Sequence, residues 1–164
     1  MFASRRIIVW TAFLVIGLDS ATKKIALAQL SDEPVKILGN FLKLRLLHNP
    51  GAAFSVGETK TFYLSLFAIL ALILVLYLSR RLISKPWAYV AGLVIGGITG
   101  NLLDRIFRTP GFLRGEVIDW IEVPHWPTFN LADSALFIAA GIACILTFKN
   151  IEPLDTPSNN EKIK

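Results

Sequence analysis

Cysteine and histidine are almost missing from this chain. Cys144 is its one cysteine, and His48 and His125 are its two histidines. A single thiol excludes an internal disulfide and any cysteine cluster for zinc or haem, and Cys144 reads as a small apolar packing residue. HExxH is absent, so a zinc protease lacks its helical ligand pair. GxSxG is absent too, which leaves Ser20 and Ser134 as formal nucleophiles without the turn that exposes a catalytic serine. Neither a metal nor a cofactor is expected. Charge is also scarce, at 18% of residues. Its basic members are dispersed with no basic-aromatic patch, which argues against nucleic acid as a partner. No Gly/Ser-rich linker and no internal repeat divide the chain. One domain over residues 1–150 is expected, followed by a polar, Pro-containing cytoplasmic tail over 151–164.

Apolar residues make up 54% of the chain, with a mean hydropathy of +0.56, above the roughly 45–50% of soluble domains. That is the composition of a membrane protein. Four stretches approach the ~20 residues needed to cross a hydrocarbon core of about 30 Å. Residues 61–79 carry no charge, while 86–103 and 131–148 gather polar residues at one end. The first stretch begins at 7–18 and continues through DSATKK into IALAQL. Arg5 and Arg6 before an apolar run, with Ala26-Leu27-Ala28 beyond it, imitate a secretory signal peptide, but Lys23 and Lys24 fall where its neutral part belongs. A retained helix is expected. Arg5/Arg6, Arg80/Arg81/Lys85 and Lys149/Lys162/Lys164 flank alternate ends of the four segments, which makes those ends and both termini cytoplasmic. The connections 29–60 and 104–130 then face outward. The expected fold is an all-α membrane protein with four transmembrane helices and a small extracytoplasmic β/loop element.

Depth along each segment, at ~1.5 Å per residue, brings the polar residues to one level. Asp19 and Lys23 lie about 20 and 26 Å from Arg6, Asn101 and Asp104 about 24 and 28 Å from Lys85, and Asp133 about 24 Å from Lys149. One polar site near the outer face, shared by three helices, accounts for them all. Asp19 and Lys23 are four apart and pair; Asn101, Asp104 and Arg105, like Asn130, Asp133 and Ser134, repeat the i, i+3, i+4 spacing. An ion pair between Asp104 and Arg105 is expected. Ala88, Gly92, Gly96 and Gly100 form a close-packing stripe on the third helix, matched to Ala135, Ala139 and Ala143 on the fourth.

Intramembrane carboxylates are costly, by about 2.5–3.5 kcal/mol each on insertion scales, so Asp133 calls for a purpose. In the outer connection GEVIDWIEVPHW, Asp119 has apolar neighbours that favour burial. Folded onto the bundle mouth, Asp119 and Asp133 face each other across a water, the arrangement in which two carboxylates share a proton as base and acid. On the residues alone, Asp104 competes with Asp119 for this part. Leu42, Leu44 and Leu46 alternate with Lys43 and Arg45 as a strand, ending in the turn Asn49-Pro50-Gly51, where Ala52 and Ala53 allow close backbone approach. A transporter or channel with an Asp/Arg/Asn pathway is the alternative from another class. It requires polar residues through the full depth, whereas the second segment is apolar throughout.

DSATK (19–23), HNPGAAF (48–54), GGITGNLLDR (96–105), VIDW (117–120) and FNLADS (129–134) together resemble the lipoprotein signal peptidases, the type II signal peptidases of bacteria. The resemblance implies an aspartic endopeptidase of the bacterial cytoplasmic (inner) membrane. It implies cleavage on the amino side of the diacylglyceryl-modified lipobox cysteine of a prolipoprotein, and inhibition by globomycin-type peptides. It makes Asp119 and Asp133 the catalytic pair, with Asn49, Asn101, Arg105 and Asn130 contacting substrate or supporting the pair, and Asp19, Lys23 and Asp104 structural. Impermeant thiol labelling tests the orientation: once Cys144 is replaced, a cysteine at Glu58 reacts from outside and one at Ile83 does not.

Overall fold

The computed structural model describes residues 2–51, 58–82 and 84–153. Ala52, Ala53 and the tail residues 154–164, about which the sequence raised expectations, lie outside them. The order of elements is α1 (Phe2–Gln29), β1 (Val35–Leu38), β2 (Leu42–Asn49), α2 (Glu58–Ser79), α3 (Lys85–Phe107), β3 (Val117–Glu122) and α4 (Leu131–Phe148). Three of the helices, with apolar spans Thr61–Ser79, Lys85–Phe107 and Leu131–Phe148, are long and apolar enough to cross a membrane. Trp10, Phe67 and Phe137 are more than 70% exposed on the outward helix faces. Apolar surface on that scale belongs against lipid rather than water.

α3 is the hub. Pro86 in its first turn presets helical φ without forfeiting a hydrogen bond, and the helix runs to Phe107, one turn beyond its apolar stretch, so that Asp104 and Arg105 stay helical. Ala88, Ala91 and Ile95 pack with Ile8 and Ala12 of α1, while Val90 packs with Ala139 and Leu146 of α4. The glycine stripe corrects the expected pairing of helices. A methyl placed on Gly92 or Gly96 would lie 2.6 Å from Cβ of Thr11 or Val15, so this face abuts α1. α4 meets Gly97 through Leu136 and Ala132, while Gly100 lies between the two neighbours, nearest to Asp19 of α1 and next to Ala132 of α4. Four-residue spacing aims Gly92 and Gly96 at one neighbour, and Gly97, ~100° round the helix from Gly96, faces another.

The strands form an antiparallel sheet in the order β1-β2-β3, with Leu47 opposite Asp119 and Asn49 opposite Val117. β2 extends the expected strand to Asn49, and the turn follows at Gly51, whose φ of +104° suits glycine. Apolar Val117 and Ile118 turn β3 onto the helix ends, burying Asp119 with them. Gly115 makes this return possible: a methyl there would sit 2.3 Å from the Asp104 carbonyl oxygen. Close packing predicts that Gly96→Ala lowers stability by about 1–3 kcal/mol by forcing α1 and α3 apart. Gly141→Ala, where a methyl meets nothing within 4 Å, leaves stability unchanged or raised. Thermal unfolding of the purified variants in one detergent distinguishes the two.

Candidate active site

Asp133 is not isolated in the middle of an apolar helix. It occupies the third position of α4, where Asn130 caps the helix: the Asn130 Oδ1 accepts from the Asp133 N–H at 3.0 Å, and Asp133 Oδ2 accepts from the Asn130 N–H at 3.2 Å. This reciprocal capping box satisfies two donors of the helix start, and the helix dipole favours the carboxylate there. The cost of a carboxylate at this depth is therefore offset by a cap.

Amides link it to Asp119. Asn101 Nδ2 donates to Asp133 Oδ1 at 2.7 Å, and Asn130 Nδ2 donates both to Asn101 Oδ1 at 3.1 Å and to Asp119 Oδ1 at 2.6 Å. Asn49 Nδ2 donates to Asp119 Oδ2 at 2.7 Å, with its own Oδ1 accepting from the Gly51 N–H. Both carboxylates, Asn49, Asn101 and Arg105 line one cavity of about 240 Å³. Burial pushes the Asp119 carboxyl up to about 6; the Asn49 amide opposes the rise, the charge of Asp133 adds to it, and the Asn130 amide opposes it again. On the other side of Asp133 lies an apolar groove of about 550 Å³ that includes Trp126, Phe129 and Phe137.

Beneath the amides is an ionic knot. The ammonium of Lys23, 1% exposed, lies 2.7 Å from Asp19 Oδ2 and 2.8 Å from Asp104 Oδ2 as an ion pair with each and donates to Asn101 Oδ1 at 3.1 Å. Asp19 Oδ1 accepts from the Ala132 N–H, so α1 also grips the start of α4. The Asp19–Lys23 pair is as expected, whereas the Asp104–Arg105 pair is not. Asp104 pairs with Lys23 and Arg108, and Arg105 donates to the carbonyl oxygens of Asn49 and Gly115 at 3.2 and 3.0 Å. Adjacent helical residues point in different directions, which rules out the expected partner. Two hydroxyls escaped the sequence reading: Thr61 donates to the Pro50 carbonyl and Ser65 to that of Leu113, tying α2 to the loops that follow β2 and α3. Their four-residue spacing at the start of an apolar helix was the available signal. Cys144 is exposed, far along α4 from the carboxylates.

Apolar spans capped by a small sheet, with two carboxylates joined through amides in one polar cavity, define a membrane protein with a polar site at one end of its helices. Known proteins narrow that class. A family model described as Signal peptidase (SPase) II matches residues 11–149. The lipoprotein signal peptidase of Rhodococcus jostii (strain RHA1) is 41% identical over 160 residues, 96% of this chain and 81% of that protein. That of Streptomyces griseus is 39% identical over 152 residues, 91% and 78% of the two chains. A bacterial membrane enzyme solved by the in meso method at 1.9 Å superposes with a TM-score of 0.76 at 26% identity, covering 87% of this chain and 92% of its own. This chain belongs to the signal peptidase II family and is a peptidase.

Two outcomes test the site. In isotope-edited infrared spectra, the protonated-carboxyl band of Asp119 disappears as pH rises through about 6, and Asp119→Asn lacks that band. Lys23→Met, which leaves Asp19 and Asp104 without their shared cation, costs about 3–5 kcal/mol of stability, read by thermal unfolding.

Proposed function

We propose that this peptidase is an aspartic endopeptidase that removes the signal peptide from diacylglyceryl-modified prolipoproteins, cutting on the amino side of the lipobox cysteine. The observation that carries the reading is the Asp119–Asn130–Asn101–Asp133 chain of hydrogen bonds within one cavity. A water between the carboxylates gives its proton to the ionised member as its oxygen attacks the scissile carbonyl carbon. The protonated member gives its proton to the carbonyl oxygen, and the tetrahedral species collapses with proton transfer to the leaving amine. A carboxyl with a pKa raised to about 6 suits the proton-holding part, which falls to Asp119. Asn101 and Asn130 orient the pair, Asn49 steadies Asp119, and Arg105 fixes the two loops beside the cavity.

In the same proposal α1 is a fourth span. Its outward face carries Trp10, Phe13, Leu14, Leu18 and Ile25 exposed, and its ionic residues Asp19 and Lys23 face inward. The four helices form one domain over 1–150 in the bacterial inner membrane, with both termini and the 151–164 tail cytoplasmic and the carboxylates near the outer face. The apolar groove beside Asp133 suits the acyl chains of a lipidated substrate, since keeping them in apolar surroundings avoids about 0.8 kcal/mol per exposed CH₂. Globomycin-type peptides are the expected inhibitors. Among the described residues the buried charged groups Asp19, Lys23, Asp104 and Asp119 gather at one end of the bundle, so the channel alternative is not favoured.

Cleavage of a purified precursor, followed by gel shift, tests the mechanism. Asp119→Asn and Asp133→Asn each lose activity by roughly a thousandfold or more while remaining folded, and the double variant is no worse than either, because the two act as one unit. Ser134→Ala and Cys144→Ala stay within roughly tenfold, about 1.4 kcal/mol in barrier. Robust turnover by Asp133→Asn sinks the mechanism, and equal rates on lipidated and unlipidated precursors sink the substrate assignment.

A further inference from the structure

We propose that Thr61 and Ser65 of α2 are positioning residues for Asp119: each holds one of the two loops that bear on it, so a helix without a catalytic group governs turnover. The inference rests on the peptidase reading above and adds two residues to its machinery.

α2 is the least buried of the three apolar spans, and among its described residues only Thr61 and Ser65 are buried, each 1% exposed. Leu70, Ile73 and Leu74 face outward instead. In lipid that order follows from the solvent, since leucine is at home among acyl chains and a hydroxyl has to find an acceptor inside. The acceptors are what set this pair apart. A hydroxyl that merely fastened one helix to another would bond the neighbouring helix or its own preceding turn. Thr61 donates instead to the Pro50 carbonyl and Ser65 to the Leu113 carbonyl at 2.7 Å, in the loops that follow β2 and α3. Ser65 also lies 3.0 Å from the Thr61 carbonyl of its own helix, an acceptor available to it without any loop.

Each loop leads to Asp119. Pro50 follows Asn49, whose amide donates to Asp119 Oδ2 at 2.7 Å. Leu113 stands shortly before Val117, where β3 starts, and β3 carries Asp119. Leu113 also needs holding. Its φ of +62° is a left-handed conformation, which costs a residue with a side chain about 1–2 kcal/mol. That turn sends the Leu113 side chain inward while Phe112 beside it stays exposed, and the hydrogen bond from Ser65 fixes the loop there. Thr61 and Ser65 are four apart, so a single face of α2 sets both loops. Arg105 grips the same loops from α3, through the carbonyls of Asn49 and Gly115, so α2 and α3 place Asp119 together. Ser65 also lines the cavity of the two carboxylates and acts from within its wall.

The two holds bear on Asp119 in opposite senses. Burial is what pushes its carboxyl up to about 6, and the Asn49 amide opposes the rise. Loosening the Leu113 loop lets water reach β3 and lowers the value, whereas loosening the Asn49 loop withdraws the amide and raises it.

Infrared titration of Asp119 and cleavage of a purified lipidated prolipoprotein, both on the full chain in one detergent, test the proposal. Ser65→Ala and Thr61→Val each lower kcat about tenfold, the loss of one hydrogen bond, with KM within about twofold. The Asp119 midpoint falls in Ser65→Ala and rises in Thr61→Val. Ser65→Thr and Thr61→Ser keep their hydroxyls, hold kcat within about threefold of wild type and leave the midpoint in place. Ser65→Cys, of nearly the same size but a weaker donor, replaces Ser65→Ala if that variant does not fold, with the same downward movement expected. A kcat within about twofold of wild type in both hydroxyl-free variants overturns the proposal. So does a lowered kcat with the Asp119 midpoint unmoved, which is what loss of packing alone gives. The titration needs no turnover, so the two failures are read separately: a wild-type chain that does not cleave the precursor sinks the peptidase reading, and an unmoved midpoint sinks the positioning.

Discussion

The fold depends on the way one buried ammonium is satisfied. Lys23 is surrounded by Asp19 from its own helix, and by Asp104 and Asn101 from α3, in a place where an unpaired charge would be untenable. Its two carboxylates reach further: Asp19 to the start of α4 through Ala132, and Asp104 to β3 through the Ile118 N–H at 3.3 Å. One cation therefore fixes α1, α3, α4 and the sheet relative to one another. The glycines of α3 allow α1 to come close enough for this to happen. Small residues and buried charge act together here, since the glycines bring α1 against α3 where the Lys23–Asp104 contact of 2.8 Å crosses between them.

Above that knot lies a layer of three asparagines, each with its oxygen committed to one direction and its nitrogen to another. Lys23 and Asn130 both donate to Asn101 Oδ1, so the Asn101 amide nitrogen has to face Asp133. The Asp133 N–H occupies the oxygen of Asn130, so that nitrogen faces Asp119. Structural charge below is thereby converted into oriented donors above, and no side chain in the layer carries net charge. The two carboxylates receive donors whose directions the helices have already set.

Much of this was legible in the sequence. The limits of α4 and the apolar core of α2 follow from uninterrupted runs, and the depth of Asp19, Lys23, Asn101, Asp104 and Asp133 follows from helical rise. Their convergence on one level did too. What the sequence could not supply was direction around the helix axis. Asp104 and Arg105 are neighbours in the chain, yet each turned to a partner from another element, Lys23 and Arg108 in one case and backbone carbonyls in the other. Gly92 and Gly96 were visible as a packing face, but nothing in their spacing distinguished α1 from α4 as the partner. The cap on Asp133 was not visible because it depends on Asn130 having extended backbone, φ −131°, just before the helix begins. Thr61 and Ser65 were lost within an apolar stretch, since a hydroxyl barely lowers hydropathy and its acceptors lie 11 and 48 residues away.

The asparagine layer has a consequence for robustness. Amides neither gain nor lose protons across the range of acidity that proteins meet, so the asparagine layer itself does not titrate when the surroundings acidify. Had Asn101 or Asn130 been a histidine or an acid of similar size, each change in the medium would have redrawn the hydrogen bonds as well as the charge. As built, the amides between the two carboxylates keep their donors and acceptors whatever the medium does to charge.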